Sequence, residues 1–206
     1  ENITEKLDKS GYVSSIISTS EVTHATPAAF IVHASSRYMA DEISIQMTDS
    51  KIKNILGGGR KFFIPEENGG NREDGIQLLD KVKTNSILIT DKSELTDPSL
   101  YGDVQVFGLF ADEHLRDETT PENHSTEPSI KNMLEFSVNR SKKFIESGCR
   151  GFFVMAEASQ VDWAGHGNDF EYLMREMTDL EGGIKWALNY AKKNKDTLVV
   201  VTADHE

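Results

Sequence analysis

The stretch "VMAEASQVDWAGHGND" delivers two carboxylates and an imidazole within ten residues: Glu157, Asp162 and His166. Asp162 and His166 stand four apart, so on a helical turn they would point the same way; in a loop they would have no shared direction. Carboxylate plus imidazole is a common ligand mix for zinc. A carboxylate beside a hydroxyl suits a hard cation such as magnesium. "TADHE" supplies a second carboxylate–imidazole pair, Asp204 and His205, "THATP" supplies the hydroxyl of Thr26, and "HASSR" supplies Arg37. Arginine offers a planar fork that matches two phosphate oxygens, which lysine does not. Each feature also has an ordinary reading. A carboxylate near a strand end commonly caps a helix or faces water, an adjacent Asp-His pair arises by chance, and a helix-end arginine is usually solvated. Thr26 could be the N-cap of a helix that Pro27 opens.

What raises these residues above their ordinary readings is the elements that would carry them. "NITEKLDKSG" reads as a helix closed by Gly11, and "YVSSIIST" as a strand. The pattern predicts one helix over "PAAFIVHASSRYMADEI", with His33 inside it as a packed or half-exposed residue. "KNILGGGRKFFI" reads as a strand or turn hinged on three glycines, and "PEENGGNREDG" as a surface loop. A short helix, "GIQLLDKVK", precedes the strands "SILIT" and "VQVFGLF". "ADEHLRDETTPENHSTEPS" is a long polar connection whose His114 and His124 are expected to be solvated. "SIKNMLEFSVNRSKKFIESG" is an amphipathic helix ending on Gly148. "GFFVMAE" is expected to be a buried strand. "DFEYLMREMTDLEGGIKWALNYAKKN" is one long helix or two, with its Met and aromatic residues in the core. "DTLVVVTADHE" is expected to be a second buried strand. Strands alternating with helices, and apolar runs without polar alternation, predict a three-layer, doubly wound α/β fold with a mostly parallel sheet. Ligands of such sheets collect at the carboxyl ends of the strands. Three polar clusters fall there: "STSEVTHAT", "EASQVDWAGH" and "DHE".

Composition sets the outer bounds. The chain has 206 residues, 37% hydrophobic and 27% charged, with a formal net charge of -12. Such a far field repels polyanions, so neither nucleic acid nor an anionic membrane surface is an expected partner. An anionic substrate would need a local source of positive charge, and a bound metal is one. Cys149 is the single cysteine, so no internal disulfide can form. No stretch approaches the roughly 18 apolar residues of a membrane span. "ENITEKLDKSGY" is polar from its first residue and does not read as a signal peptide.

"THATPAAF", "ILGGGRKFF", "VMAEASQVDWAGH" and "TADHE" occur together and in this order, and they resemble alkaline phosphatase. The similarity runs from "GYVSSIISTS" to the last residue. It implies two zinc ions and one magnesium in the full-length protein. By the resemblance, Asp162 and His166 are ligands of the first zinc, Asp204 and His205 belong to the second, and Thr26 and Glu157 hold magnesium. Arg37 would clamp the substrate phosphate. His24 and Trp163 stand where other members carry Asp, and Lys or His, beside the ions; this combination resembles one bacterial branch. The implied substrates are small phosphate monoesters, the implied location is periplasmic or otherwise extracytoplasmic, and homodimer formation stays open.

The resemblance also implies an in-line displacement between two zinc ions about 4 Å apart, through a phosphoserine. The Asp-Ser-Ala type motif that would supply the serine is absent, since the sole Asp-Ser is Asp49-Ser50. The chain therefore reads as the central part of a single alkaline-phosphatase-like domain, lacking the nucleophile region and the region beyond Glu206. It is expected to be inactive by itself. Two alternatives stay open: a related metal-dependent phosphodiesterase or sulfatase-type hydrolase, and a non-catalytic metal-binding remnant.

Overall fold

Tyr12–Glu21 is buried on both sides of its pleat, Val13, Ile16 and Ile17 among buried Ser and Thr, and this run forms β1, the strand on which the site is built. The computed structural model describes residues 1–97, 102–117, 126–203 and 205. The other strands are β2 (Asn54–Gly58), β3 (Ile87–Ile89), β4 (Val106–Leu109) and β5 (Gly151–Glu157). They form one sheet in the order β3-β4-β2-β1-β5, and every pairing among the described residues is parallel. Because strand side chains alternate, Ile16, Ile55 and Phe107 serve one face while Ile17, Leu56 and Val106 serve the other. The first face is covered by α2 (Ala25–Ala29), α3 (Ala40–Asp49) and α4 (Leu78–Asn85), through Ala28, Ile43, Met47 and Val82. The second is covered by α5 (Ile130–Glu146), through Ile130, Met133 and Phe136. This is the three-layer parallel α/β architecture that the alternation of elements predicts.

The first helix, α1 (Ile3–Lys9), starts with a capping box between Asn2 and Glu5 and turns into β1 at Gly11, whose φ of 81° suits glycine. The crossover from β5 runs through α6 (Ser159–Gly167) and the single long helix α7 (Phe170–Lys193). Asn168 ends α6 in the left-handed region, and the Asp169 side chain caps α7. Helix α7 lies on α5. A Cβ at Gly183 would stand 2.6 Å from Ile130 Cγ2, so glycine sets the closeness of that contact. Asp179 of α7 accepts the N–H of Ile130 at 3.0 Å, satisfying a donor at the start of α5. Among the described residues no helix is long and apolar enough to cross a membrane.

Four expectations are corrected. The helix expected from Pro27 onward is two helices, α2 and α3, with irregular chain between them, and His33 lies in that break. The Gln46 side chain binds both the N–H and the C=O of His33, at 2.9 Å each, so that backbone is satisfied without a helix. The run 197–203 is not a strand. It has no ladder partner among the described residues, and Leu198 and Val200 are 85% and 74% exposed. A β-branched apolar run becomes a buried strand only when an edge pairs with it and layers cover both faces. For the same reason β5, the outer strand on that side, is half-buried rather than buried. The Met and aromatic residues of α7 are not core either: Met174 and Met177 are exposed and Trp186 is half-buried, because α7 touches the body along one stripe.

Candidate metal centre and phosphate-binding residues

The strand ends converge because β1 and β5 are neighbours in register, with Ser18 opposite Glu157. Between Ile17 and Glu21, β1 bulges against β2. Gly57 makes this possible: a Cβ there would lie 2.8 Å and 2.9 Å from the carbonyl oxygens of Ser18 and Ser20. The other two glycines of "GGG" admit the segment after β4. A Cβ on Gly58 would overlap the Glu113 carbonyl oxygen at 1.9 Å, and Gly59 turns with φ 92°. The N–H groups of Gly59, Arg60 and Lys61 then donate to the carbonyls of Glu113, Ala111 and Asp112 at 2.6–3.1 Å. Arg60–Asp112 and Lys61–Glu113 ion pairs flank this ladder.

Helix α6 settles the direction of the first candidate pair. Asp162 and His166 lie on one face of it, with Nε2 of His166 3.3 Å from Oδ1 of Asp162. His205, from the far end of the chain, brings its Nε2 to 3.4 Å from the same oxygen. One ligand atom from each of the three lies within 4.8 Å of the others. Ligands held 2.0–2.1 Å from a tetrahedral ion stand roughly 3.3 Å apart, so the Asp162–His166 pair fits one zinc, and His205 stands close enough to serve a neighbouring ion. Asp204 lies outside the described residues, as does His124.

Glu157 ends β5 in a hydroxyl cluster. Its Oε2 accepts from Ser18 at 2.9 Å and from Ser159 at 2.8 Å, while Ser18 and Ser20 contact each other at 2.7 Å. Thr26 is not the cap of α2, because His24 holds that position; Thr26 lies inside the first turn and is half-buried. Hydroxyl and carboxylate oxygens are the donor types a hard cation takes.

Arg37 is exposed in the break between α2 and α3, with one N–H on Nε2 of His24 at 3.3 Å. Arginine can only donate, so Nε2 accepts and the proton of a neutral His24 ring sits on Nδ1. That Nδ1 is buried without a hydrogen-bond partner among the described residues. Burial, and then the charge of Arg37, hold the His24 pKa below the ordinary histidine value; Glu157 and Asp162 oppose this.

One member of this region was not expected. His114 is half-buried, not solvated. The Glu21 N–H donates to its Nδ1 at 3.1 Å, and its ring meets Trp163 at 4.4 Å and His24 at 6.0 Å between centroids. Trp163 in turn lies edge-on to His24 at 5.7 Å. Burial also lowers the His114 pKa, with the His24 charge as the next cause. The strand-end rule applied to "VQVFGLF" would have found this residue, since it follows β4 as the other site residues follow their strands. Gln160, also missed, is buried at the start of α6. It donates to the carbonyls of Leu115 (2.8 Å) and Thr19 (3.3 Å) and accepts from the Tyr172 hydroxyl at 2.6 Å. It thereby ties α6 to β1, to the segment after β4 and to α7. Nothing in its local sequence marks it, because its three partners come from three distant segments.

The family model for alkaline phosphatase matches residues 1–206. Alkaline phosphatase 4 of Bacillus subtilis is 36% identical over 210 residues, which cover 99% of this chain and 42% of that protein. Among solved structures, alkaline phosphatase from the Antarctic bacterium TAB5 superposes with a TM-score of 0.78 at 29% identity, covering 93% of this chain and 52% of that one. A histidine variant of the TAB5 enzyme, at 28% identity and TM-score 0.77, is described with Mg bound in the M3 site; it too is covered to 51%. This chain thus spans about two fifths of the length of the curated relatives it matches and about half of these solved chains. With its motifs in order and its whole length matched, the chain belongs to the alkaline phosphatase family.

Proposed function

We propose that the full-length protein hydrolyses small phosphate monoesters with two zinc ions and one magnesium, and that this chain supplies most of the ion ligands and the phosphate clamp. The observation that carries the reading is the convergence of Asp162, His166 and His205 within 4.8 Å at the carboxyl edge of the sheet. Asp162 and His166 would hold one zinc, and His205 with Asp204 the other; Thr26 and Glu157 would hold magnesium. When bound, these ions supply Lewis-acid charge that stabilises the oxygens of an in-line phosphoryl displacement.

The chain's own groups bind and orient. Arg37 faces outward with most of its fork open, and a guanidinium binds two phosphate oxygens through paired N–H donors. His24 accepts from Arg37 and steers the fork while staying neutral, so it adds no charge that would compete for the phosphate. The Trp163 and His114 rings pack against His24 and each other. The phosphoryl acceptor is proposed to be a serine supplied by sequence outside these 206 residues: its oxygen bonds to phosphorus as the ester oxygen leaves, and water then cleaves the phosphoserine. The Ser18 and Ser159 hydroxyls are buried and engaged at Glu157, and that of buried Ser20 is engaged at Ser18, which argues against their serving as that acceptor. With a net charge of -12, local cationic groups must hold the substrate against the far field.

The test is zinc-dependent turnover of an aryl phosphate monoester by the full-length protein, against the matching diester. Monoester turnover that is lost on chelation, restored by zinc and abolished by Asp162→Ala is expected. Preference for the diester would replace this reading with the phosphodiesterase one. The same zinc-loaded assay on the 206-residue chain alone is expected to show no turnover.

A further inference from the structure

Glu157 could bind a cation through one oxygen or through both, and the serines around it distinguish the two. Three hydroxyl protons are available in the cluster. A carboxylate only accepts, and both Ser18 and Ser159 bring a hydroxyl within donating distance of Oε2, at 2.9 Å and 2.8 Å. The Ser20 N–H donates to Oγ of Ser18 at 3.2 Å, and its hydroxyl, 2.7 Å away, can donate there as well. Ser18 and Ser159 also stand 2.8 Å from each other, so one can donate to the other while the other donates to Oε2. Oε2 thus sits against a linked pair of serine hydroxyls, and Oε1 carries no hydrogen bond or ion pair among the described residues. Both serines are buried: Ser18 is 0% exposed and Ser159 5%. Their positions are fixed by the β1–β5 register and by the start of α6.

Magnesium requires short, near-octahedral, one-oxygen contacts, whereas calcium readily takes both oxygens of a carboxylate at longer distance. We infer that the Ser18–Ser159 clamp restricts Glu157 to one-oxygen ligation and so makes these two serines determinants of magnesium-over-calcium preference, an inference that rests on the magnesium role proposed above. Without the clamp the carboxylate would be free to rotate and to present both oxygens.

The experiment is calorimetric titration of Mg2+ and of Ca2+ into the full-length protein, stripped by chelation and reloaded with zinc, with thermal unfolding measured in parallel. Ser159→Ala and Ser18→Ala are each expected to weaken Mg2+ binding roughly tenfold, the usual scale for losing a ligand's supporting hydrogen bond. Ca2+ affinity should hold or rise, so the Mg2+/Ca2+ ratio falls. Ser159→Thr, which keeps the hydroxyl, should restore the wild-type ratio. An unchanged ratio in the alanine variants, or equal weakening of both ions with a lowered Tm, overturns the inference. Should Ser18→Ala fail to fold, Ser159→Ala carries the test. Glu157→Gln separates the two levels: if it leaves Mg2+ binding intact, the magnesium role itself falls. If it abolishes binding while the serine variants keep the ratio, the clamp alone is wrong.

Discussion

The two ends of this sheet treat arginine in opposite ways. At the amino edge, Arg140 is fully buried and donates to the carbonyls of Lys53, Gly102 and Val104 and to Oδ1 of Asn54. Asn54 passes the connection on to Ser15 of β1 at 2.7 Å. At the carboxyl edge, Arg37 is exposed and makes one contact, to His24. The same side chain is a structural pin where backbone oxygens occupy its fork, and an exposed, largely unengaged guanidinium where they do not. The carboxyl edge repeats that theme with Oε1 of Glu157 and Nδ1 of His24. It keeps polar groups uncommitted, whereas the amino edge spends them on structure.

Substitutions at the two ends should therefore separate stability from binding. Arg140→Ala leaves several buried carbonyls without donors and is expected to cost on the order of 3 kcal/mol or more, read as a lower Tm and denaturant midpoint. Arg37→Ala should change stability by no more than about 0.5 kcal/mol, as for an exposed side chain, while weakening inorganic phosphate binding by the full-length protein roughly tenfold to a hundredfold. A stable Arg140→Ala protein, or unchanged phosphate affinity in Arg37→Ala, would erase the contrast.

Gly58→Ala sharpens it from the backbone side. The new Cβ meets the Glu113 carbonyl, so residues 111–115 must move and take His114 off Trp163. A loss of about 1–3 kcal/mol and a shifted indole fluorescence are expected, with the amino edge untouched. An unchanged spectrum at unchanged stability would mean that the glycine turn does not hold His114 in place.

The smallest effect is on pH dependence. His24 and His114 have folded pKa values below the ordinary 6.5, so their neutral forms contribute stability that is complete above about pH 6.5 and lost as pH falls through the folded values. Glu21 has the opposite sign, its raised pKa adding stability at low pH that is lost as pH rises. Replacing both histidines by Asn should flatten the decline in Tm below pH 6.5 and leave the Glu21 contribution in place. A decline as steep as in the parent chain would show that the histidines are not its source.

Much of the fold could be read from local pattern, because helix and strand periods are local. Helices α1, α4 and α5 and strands β1 to β4 follow their apolar spacing and their Gly, Ser and Asn punctuation. The pattern misled where long-range partners decide. The break after α2 depends on Gln46 reaching back to His33. Residues 197–203 look like a core strand, yet composition cannot supply the neighbour that would pair with them. The solvated reading of His114 failed for the same reason: three glycines on another strand admit its segment to the site.

By itself the sequence determined the α/β class, the candidate residues and the place of those that follow β1 and β5, since these depend on residue type and short spacing. Only the tertiary structure decided that His205 meets Asp162 and His166, that Ser18 and Ser159 hold one oxygen of Glu157, and that Arg37 leans on His24. Apart from the local Ser159–Glu157 contact, they join residues 13 to 139 apart. They are fixed by strand register, by a bulge and by glycine-permitted close approach, none of which a local pattern encodes.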